Sequence, residues 1–138
     1  MDENDVVQIM RHPQTMIASD GRLVKPGNGH PHPRWYGTFP RVLGHYVRER
    51  GILTLPNAVY KMTGFPAESL GLIDRGLIKE QMKADITIFN PETIIDKSTF
   101  IDPHHYSDGI LYVIVNGKLS IDNGEFMGLK AGKVLRKK

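Results

Sequence analysis

Apolar residues recur at helical spacing over much of the first half of the chain. Residues 3–11 carry apolar positions among polar ones, which predicts a short helix that His12-Pro13 ends. A later helix opens with Thr54 as a hydroxyl cap and has a proline in its first turn, as helix starts commonly do. The predicted helices span residues 3–11, 40–50, 54–64 and 65–71, with Gly51, Gly64 and Gly71 as their ends.

The pattern changes to runs of β-branched residues after Ala84. Isoleucine, valine and threonine predict strands here, and Asn116-Gly117 is a strong signal for a two-residue hairpin turn. A second turn is predicted at residues 122–124. The strands are expected over residues 86–89, 110–115 and 118–121. They predict a small antiparallel sheet with too few strands to bury both faces.

One further apolar run, at residues 14–19, predicts a strand that ends on Asp20 and turns at Gly21. A carboxylate at the end of a parallel strand is where an α/β barrel carries catalytic groups. Asp-Gly is also an ordinary turn pair, so the dipeptide alone does not decide between the two interpretations. A loop rich in Gly, Pro and His is predicted from Gly21 to Pro40, long enough to hold a substrate.

Composition limits the possible functions. The 138 residues are too few for a complete eight-stranded barrel, which needs about 250. No apolar run approaches the roughly 20 residues of a membrane span. The net charge of +3 comes from dispersed basic residues and a basic tail, so nucleic-acid binding is not expected. The acidic N-terminus is unlike a secretory signal and cysteine is absent, which predicts a cytoplasmic protein.

Five motifs occur in a fixed order that resembles a known family. They comprise Asp-Gly, a His-Pro-Arg-Trp-Tyr-Gly stretch that continues to Leu-Gly, Lys-Met-Thr-Gly-Phe-Pro-Ala, Ala-Asp-Ile-Thr-Ile-Phe and Val-Asn-Gly, at residues 20–21, 32–44, 61–67, 84–89 and 115–117. The series resembles the C-terminal part of the N-acyl-D-amino-acid deacylases, or D-aminoacylases, of the amidohydrolase superfamily. The resemblance extends over nearly the whole chain.

The resemblance implies an α+β partial fold in two parts. Residues 1–83 would form the last strand, substrate loop and helices of the catalytic α/β barrel, and residues 84–138 part of a small antiparallel β-domain. In the complete enzyme, Asp20 would take a proton from a metal-bound water and pass it to the leaving amine. Zinc is implied for that enzyme, whereas no metal ligand is identified in this chain.

The stretch after Asp20 supplies the expected substrate-binding residues. Arg34 is the candidate for gripping the free carboxylate of an acyl amino acid, because a guanidinium is a planar two-pronged donor. Trp35 and Tyr36 are candidates for lining the acyl or side-chain pocket. Alternatively, the arginine is simply solvated and the two aromatic residues pack structurally.

The histidines are interpreted as structural. His30 and His32 have the spacing of the superfamily's first metal ligands, but they lie between prolines in the loop and are interpreted as a His-Pro turn. His45 and the pair His104-His105 are expected to be packing or surface residues. One position departs from the family pattern: Gln81 lies in a turn that usually contains glycine, so a positive φ there would carry strain.

Three functional hypotheses follow. The first is the C-terminal segment of a deacylase that converts N-acyl-D-amino acids to a carboxylate and a D-amino acid, inactive as an isolated chain because one aspartate without a metal cannot generate hydroxide. The second is a segment of a ring-opening amidohydrolase of the hydantoinase or dihydroorotase type. The third is a non-catalytic chain that completes a separately encoded N-terminal half. The expected partner is a missing N-terminal barrel portion or a second copy of the chain, because unpaired strand edges need cover.

Overall fold

The computed structural model describes residues 2–136, with helices first and a four-stranded antiparallel sheet last. The helical elements are α1 (Glu3–Arg11), α2 (Arg34–Arg41), a π-helical segment (Val42–Glu49) that continues α2, α3 (Leu55–Met62) and α4 (Gly64–Leu70). The strands are β1 (Ile86–Phe89), β2 (Ile110–Val115), β3 (Lys118–Asp122) and β4 (Glu125–Phe126). This order agrees with the α+β class and with the predicted C-terminal sheet.

Local sequence signals explain several of these elements. At the start of α1, the Asp2 carboxylate accepts hydrogen bonds from the backbone N–H groups of Asn4 and Asp5, at 2.8 and 3.0 Å. The Asp5 side chain accepts from the Asp2 backbone in return, which completes a capping box. At the start of α3, the Thr54 hydroxyl accepts from the backbone N–H of Asn57 at 3.3 Å, as predicted.

The second predicted helix begins six residues earlier than expected, because Pro33 and not Pro40 precedes its start. Pro33 has φ of −51°, and the Trp35 N–H donates to the His32 carbonyl at 2.9 Å. A proline suits the start of a helix, where its missing N–H has no helical acceptor. Pro40 is buried inside α2, and the wider π-helical geometry follows within two residues. Arg34, Trp35 and Tyr36 therefore lie in a helical first turn and not in the predicted loop.

The structure differs from two other predictions of local structure. The run at residues 14–19 belongs to no sheet in residues 2–136; its Ile17 N–H donates to the carbonyl of Lys61 at the end of α3, 3.0 Å away. A strand forms beside a neighbouring strand, and residues 2–136 provide none for this run. The predicted barrel strand would need a partner strand from outside these residues. Gly64 does not end α3 but begins α4, and a Cβ on it would lie 2.9 Å from the Tyr60 ring.

The core lies between the π-helical segment, α3 and the loop after β1. Its buried members are Val42, Leu43, Tyr46, Leu53, Ala58 and Ile94. Ile94 is 1% exposed and brings the loop of the C-terminal part against the helices. Arg48 also connects the π-helical segment to the loop after β1. Its Nη1 donates to the Ile94 carbonyl at 2.6 Å and to the Pro91 carbonyl at 3.1 Å.

The sheet follows the predicted hairpin pattern, with the strands in the order β1-β2-β3-β4. Asn116 and Gly117 have φ of 48° and 76°, which is the pair of positive angles that a tight two-residue hairpin requires. Exposed side chains include Ile88 and Phe126, so one face of the sheet is incompletely covered, as expected from the number of strands. In residues 2–136, no helix combines the length and apolar character needed to cross a membrane.

Replacement of Gln81 by glycine is expected to stabilise the chain by about 0.5–1 kcal/mol. Gln81 has φ of 65°, a left-handed conformation that costs a residue other than glycine about 1–2 kcal/mol. Glycine avoids this cost, but its greater conformational entropy in the unfolded chain offsets part of the gain. Urea denaturation measures the difference. Gln8→Gly, at an exposed position inside α1, is the matched control and is expected to destabilise by about 1 kcal/mol. Destabilisation by Gln81→Gly would contradict the strained turn.

Candidate functional site

The structure brings Asp20 and Arg34 into direct contact. Arg34 Nη2 lies 2.7 Å from Asp20 Oδ2, and Arg34 Nε donates to the Asp20 backbone carbonyl at 3.2 Å. The carboxylate side chain is 85% exposed and the arginine side chain 45% exposed. One guanidinium thus holds both the side chain and the backbone of Asp20, at a surface that remains open to a substrate.

The start of α2 and the turn at Gly21 place this pair. The Arg34 N–H donates to His32 Nδ1 at 3.1 Å, and the Arg34 carbonyl accepts from the Thr38 hydroxyl at 2.8 Å, which orders the first helical turn. A Cβ on Gly21 would lie 3.3 Å from Trp35 Cα and 2.8 Å from Ser19 Oγ. Glycine therefore allows the backbone beside Asp20 to pass close to α2.

Trp35 and Tyr36 have different surroundings. The indole Nε1 of Trp35 is buried and has no hydrogen-bond partner within residues 2–136. The Tyr36 hydroxyl donates to His104 Nδ1 at 3.0 Å, and its ring meets Tyr106 edge-on with 5.6 Å between centroids. Tyr36 is therefore engaged by the segment that precedes β2, whereas the indole N–H of Trp35, the residue after Arg34, has no hydrogen-bond partner among the described residues.

His30 and His32 make separate contacts around Phe100. His30 Nε2 donates to the Phe100 carbonyl at 2.7 Å, and the His32 ring meets the Phe100 ring edge-on with centroids 4.9 Å apart. Within residues 2–136 no group of three or more histidine, aspartate or glutamate side chains is arranged to hold a metal ion. His45 bonds Glu49 one turn away at 2.9 Å.

Sequence reasoning missed the role of His104, which was expected to be a packing or surface residue. Its Nδ1 accepts from the Gly27 N–H at 3.2 Å as well as from Tyr36, and its Nε2 donates to the Gly29 carbonyl at 3.0 Å. These partners are at least 68 residues away in the chain. No periodicity or motif signals such distant contacts.

Lys61 is a second residue that sequence reasoning did not assign. It is 2% exposed, and its Nζ donates to the carbonyls of His12 and Thr15, at 2.6 and 2.8 Å. Among residues 2–136 it has no carboxylate partner. With the Lys61 carbonyl accepting from Ile17, this residue fastens the segment that leads to Asp20 onto α3. Burial lowers the pKa of the Lys61 ammonium below its ordinary value.

The stability difference between the native chain and a Lys61→Met variant is expected to depend on pH. Because the pKa of Lys61 is lower in the folded chain, the unfolded chain binds more protons between the two pKa values. The native chain should therefore gain stability relative to Lys61→Met as the pH rises toward the unfolded lysine pKa of about 10.4. Urea denaturation at several pH values in this range measures the difference in the free energy of unfolding, with the exposed Lys25→Met as the control. A difference that stays constant with pH would contradict the burial of the ammonium.

A profile of the amidohydrolase family matches residues 4–121. The chain belongs to this family. Among its amidohydrolase relatives, the D-aminoacylase of Alcaligenes xylosoxydans xylosoxydans is 46% identical over 135 residues, which are 98% of this chain and 27% of the relative. The predicted resemblance to the N-acyl-D-amino-acid deacylases is thereby confirmed.

Solved amidohydrolase structures agree with the fold. A D-aminoacylase with a binuclear metal centre superposes with a TM-score of 0.90 at 46% identity, over 97% of this chain and 28% of that one. The N-acyl-D-glutamate deacylase of Bordetella bronchiseptica, in complex with zinc and a phosphonate mimic of the tetrahedral intermediate, gives 0.80 at 44% identity, over 86% and 24%. The chain thus spans about a quarter of the length of the relatives it matches.

Proposed function

We propose that this chain is a segment of a metal-dependent N-acyl-D-amino-acid deacylase. In the complete enzyme, residues 1–83 would form the last strand and helices of the catalytic α/β barrel, and residues 84–138 would belong to the small β-domain. High identity to D-aminoacylase over almost the whole chain supports the assignment. The match covers 27% of that relative, so the other parts of the catalytic machinery would lie outside the sequence described here. The cytoplasmic location remains a prediction from sequence.

The contact between Asp20 and Arg34 is the observation that carries this proposal. In an α-amino acid, the nitrogen and the carboxylate are bonded to the same carbon. A residue that grips the carboxylate must therefore lie beside the residue that protonates the leaving nitrogen. Arg34 Nη2 and Asp20 Oδ2 are 2.7 Å apart, so the two residues lie side by side. The guanidinium can bind a carboxylate, and the Asp20 carboxylate can transfer a proton. Asp20 would accept a proton from the attacking water and return it to the nitrogen as the amide bond breaks, leaving a carboxylate and a free D-amino acid.

We expect the metal ligands to lie outside residues 2–136. Asp20 is a single exposed carboxylate. Residues 2–136 contain no group of three or more metal-binding side chains that would hold an ion. The donor set here does not fit a complete metal site, so the isolated chain is expected to lack activity. Zinc remains the expected metal of the complete enzyme, as in the Bordetella bronchiseptica relative.

The structure contains an open apolar cleft that is suited to docking of the remaining polypeptide. It has a volume of about 700 Å³ and separates α3 from the approach to β1. Its lining includes Leu43, Val59, Met62, Leu77, Ile86 and Phe89. An open apolar cleft of this kind favours cover by another segment. We assign it to the missing barrel portion of the enzyme, with a second copy of the chain as the alternative.

The test is a hybrid enzyme. The matched segment of the Alcaligenes xylosoxydans xylosoxydans D-aminoacylase is replaced by this chain, and hydrolysis of N-acyl-D-amino acids is measured with zinc present. We expect turnover by the hybrid and none by the isolated chain. A folded, zinc-loaded hybrid without turnover would contradict the proposal, as would turnover by the isolated chain. Light scattering on the isolated chain separates the second-copy alternative from an uncovered monomer.

Replacement of Arg34 by lysine in the hybrid is expected to raise KM about 10–100-fold and to change kcat less. Lysine keeps the charge but loses the two-pronged grip on a carboxylate. The exposed Arg22→Lys is the matched control, since Arg22 lies beside the same turn. Steady-state kinetics on one N-acyl-D-amino acid separate the two constants. An unchanged KM would exclude Arg34 as the carboxylate-binding residue.

A further inference from the structure

His104 joins three parts of the molecule that are distant in sequence. Its ring contacts Gly27 and Gly29 near the middle of the loop that connects Asp20 to Arg34, and Tyr36 on the first turn of α2. His104 itself lies between β1 and β2. On that side, the Ser98 hydroxyl donates to the Pro103 carbonyl at 2.6 Å, and Ile95 and Asp108 exchange two backbone hydrogen bonds. The ring therefore links a surface loop to a segment fastened to the sheet.

The three partners specify one form of the imidazole. A backbone N–H only donates, so Nδ1, which faces the Gly27 N–H, must present its lone pair. A carbonyl only accepts, so Nε2, which faces the Gly29 carbonyl, must carry the hydrogen. The Tyr36 hydroxyl then donates to the same Nδ1. In the neutral Nε2–H tautomer, the Gly27 N–H and the Tyr36 hydroxyl share the single Nδ1 lone pair, and Nε2–H donates to the Gly29 carbonyl.

We propose that His104, in its neutral Nε2–H form, is a positioning residue for substrate binding. It fixes the loop of residues 22–33 and, through Tyr36, the first turn of α2, which carries Arg34. This inference rests on the proposed function, because it assigns the carboxylate grip to Arg34. His104 does not touch the substrate in this proposal. It sets where the guanidinium stands relative to Asp20.

Among the described residues, two other side chains attach the loop to the segment before β2. His30 Nε2 donates to the Phe100 carbonyl, and His32 packs on the Phe100 ring, in the same segment before β2. Gly27 and Gly29 have φ of 78° and 70°, and a Cβ on either would meet nothing within 4 Å. These glycines turn the loop without packing it, so His104 supplies much of its order.

The neighbouring histidine provides a matched control. His105 Nε2 bonds the Asp102 carboxylate at 2.7 Å, within its own segment, and makes no hydrogen bond to the loop among the described residues. His104→Ala and His105→Ala remove the same side chain one position apart. His104→Gln offers a donor and an acceptor on one side chain and tests partial rescue.

The first measurement uses the chain itself. Hydrogen exchange of the Gly27 amide is expected to accelerate at least about tenfold in His104→Ala, to be unchanged in His105→Ala and to recover partly in His104→Gln. Nitrogen-15 spectra of the imidazole are expected to report the Nε2–H tautomer. Unchanged exchange in His104→Ala, or an Nδ1–H tautomer in the folded chain, would overturn the proposal.

The second measurement uses the hybrid enzyme. KM for an N-acyl-D-amino acid is expected to rise about tenfold in His104→Ala, with kcat within about threefold of the parent and His105→Ala unchanged. A KM equal to that of the parent would overturn the positioning role. If the parent hybrid with native His104 is itself inactive, the proposed function fails. Hydrogen exchange of the Gly27 amide and the nitrogen-15 spectra of the imidazole still test whether His104 holds the loop.

Discussion

Asp20→Asn is expected to lower kcat of the hybrid enzyme about a thousandfold. Asparagine has nearly the same shape as aspartate, and its amide oxygen can still accept a hydrogen bond from Arg34. It cannot take a proton from water and give it to a leaving nitrogen, and loss of a general acid–base group typically costs 10²–10⁴-fold, so about 10³ is the central expectation. KM should change much less, because the carboxylate grip of Arg34 remains.

The experiment measures kcat and KM together with the zinc content of each variant. Asp122→Asn is the matched control, because it makes the same chemical change at the end of β3, away from the turn that carries Asp20. Its kcat is expected to equal that of the parent hybrid. An Asp20→Asn enzyme that binds zinc normally and keeps kcat within tenfold of the parent would exclude Asp20 as the proton carrier.

Elements with strong local signals were predictable from the sequence. The capping residues of α1 and α3 and the Asn116-Gly117 turn act through neighbours within a few positions. The strands β1 and β2 were predicted with the observed bounds for the same reason. The start of α2 could not be predicted, because either Pro33 or Pro40 could begin a helix. In the structure Pro40 packs in the interior of α2, and the helix begins after Pro33.

The candidate site was predictable in its residue types but not in its geometry. Asp20 and Arg34 were singled out separately, as a turn carboxylate and a substrate-binding arginine. Their contact depends on the path of a 13-residue connection that only tertiary contacts determine. His104 holds this connection at Gly27, from 77 residues away, and Lys61 holds the segment before Asp20 at Thr15, from 46 residues away. Such long-range hydrogen bonds leave no periodic signature in the sequence.

Gly44→Ala is expected to destabilise the chain by about 2–4 kcal/mol. Gly44 is buried in the π-helical segment, and a Cβ there would lie 2.4 Å from the Ile94 carbonyl oxygen and 2.6 Å from Ile95 Cδ1. In a solvated helix, alanine is more favourable than glycine by about 1 kcal/mol. Here the clash outweighs that gain, because the first neighbour is backbone and cannot rotate away.

Urea denaturation of the chain measures the effect, with Gly132→Ala as the matched control. Gly132 does not have a positive φ, and a Cβ on it would meet nothing within 4 Å, so its replacement should change the free energy of unfolding by no more than about 0.5 kcal/mol. The same approach of Gly44 to Ile94 joins the helical part to the loop after β1. A stabilised Gly44→Ala variant would therefore contradict the close approach of Gly44 to both Ile94 and Ile95. It would mean that the helices and the C-terminal part do not share the core around Ile94.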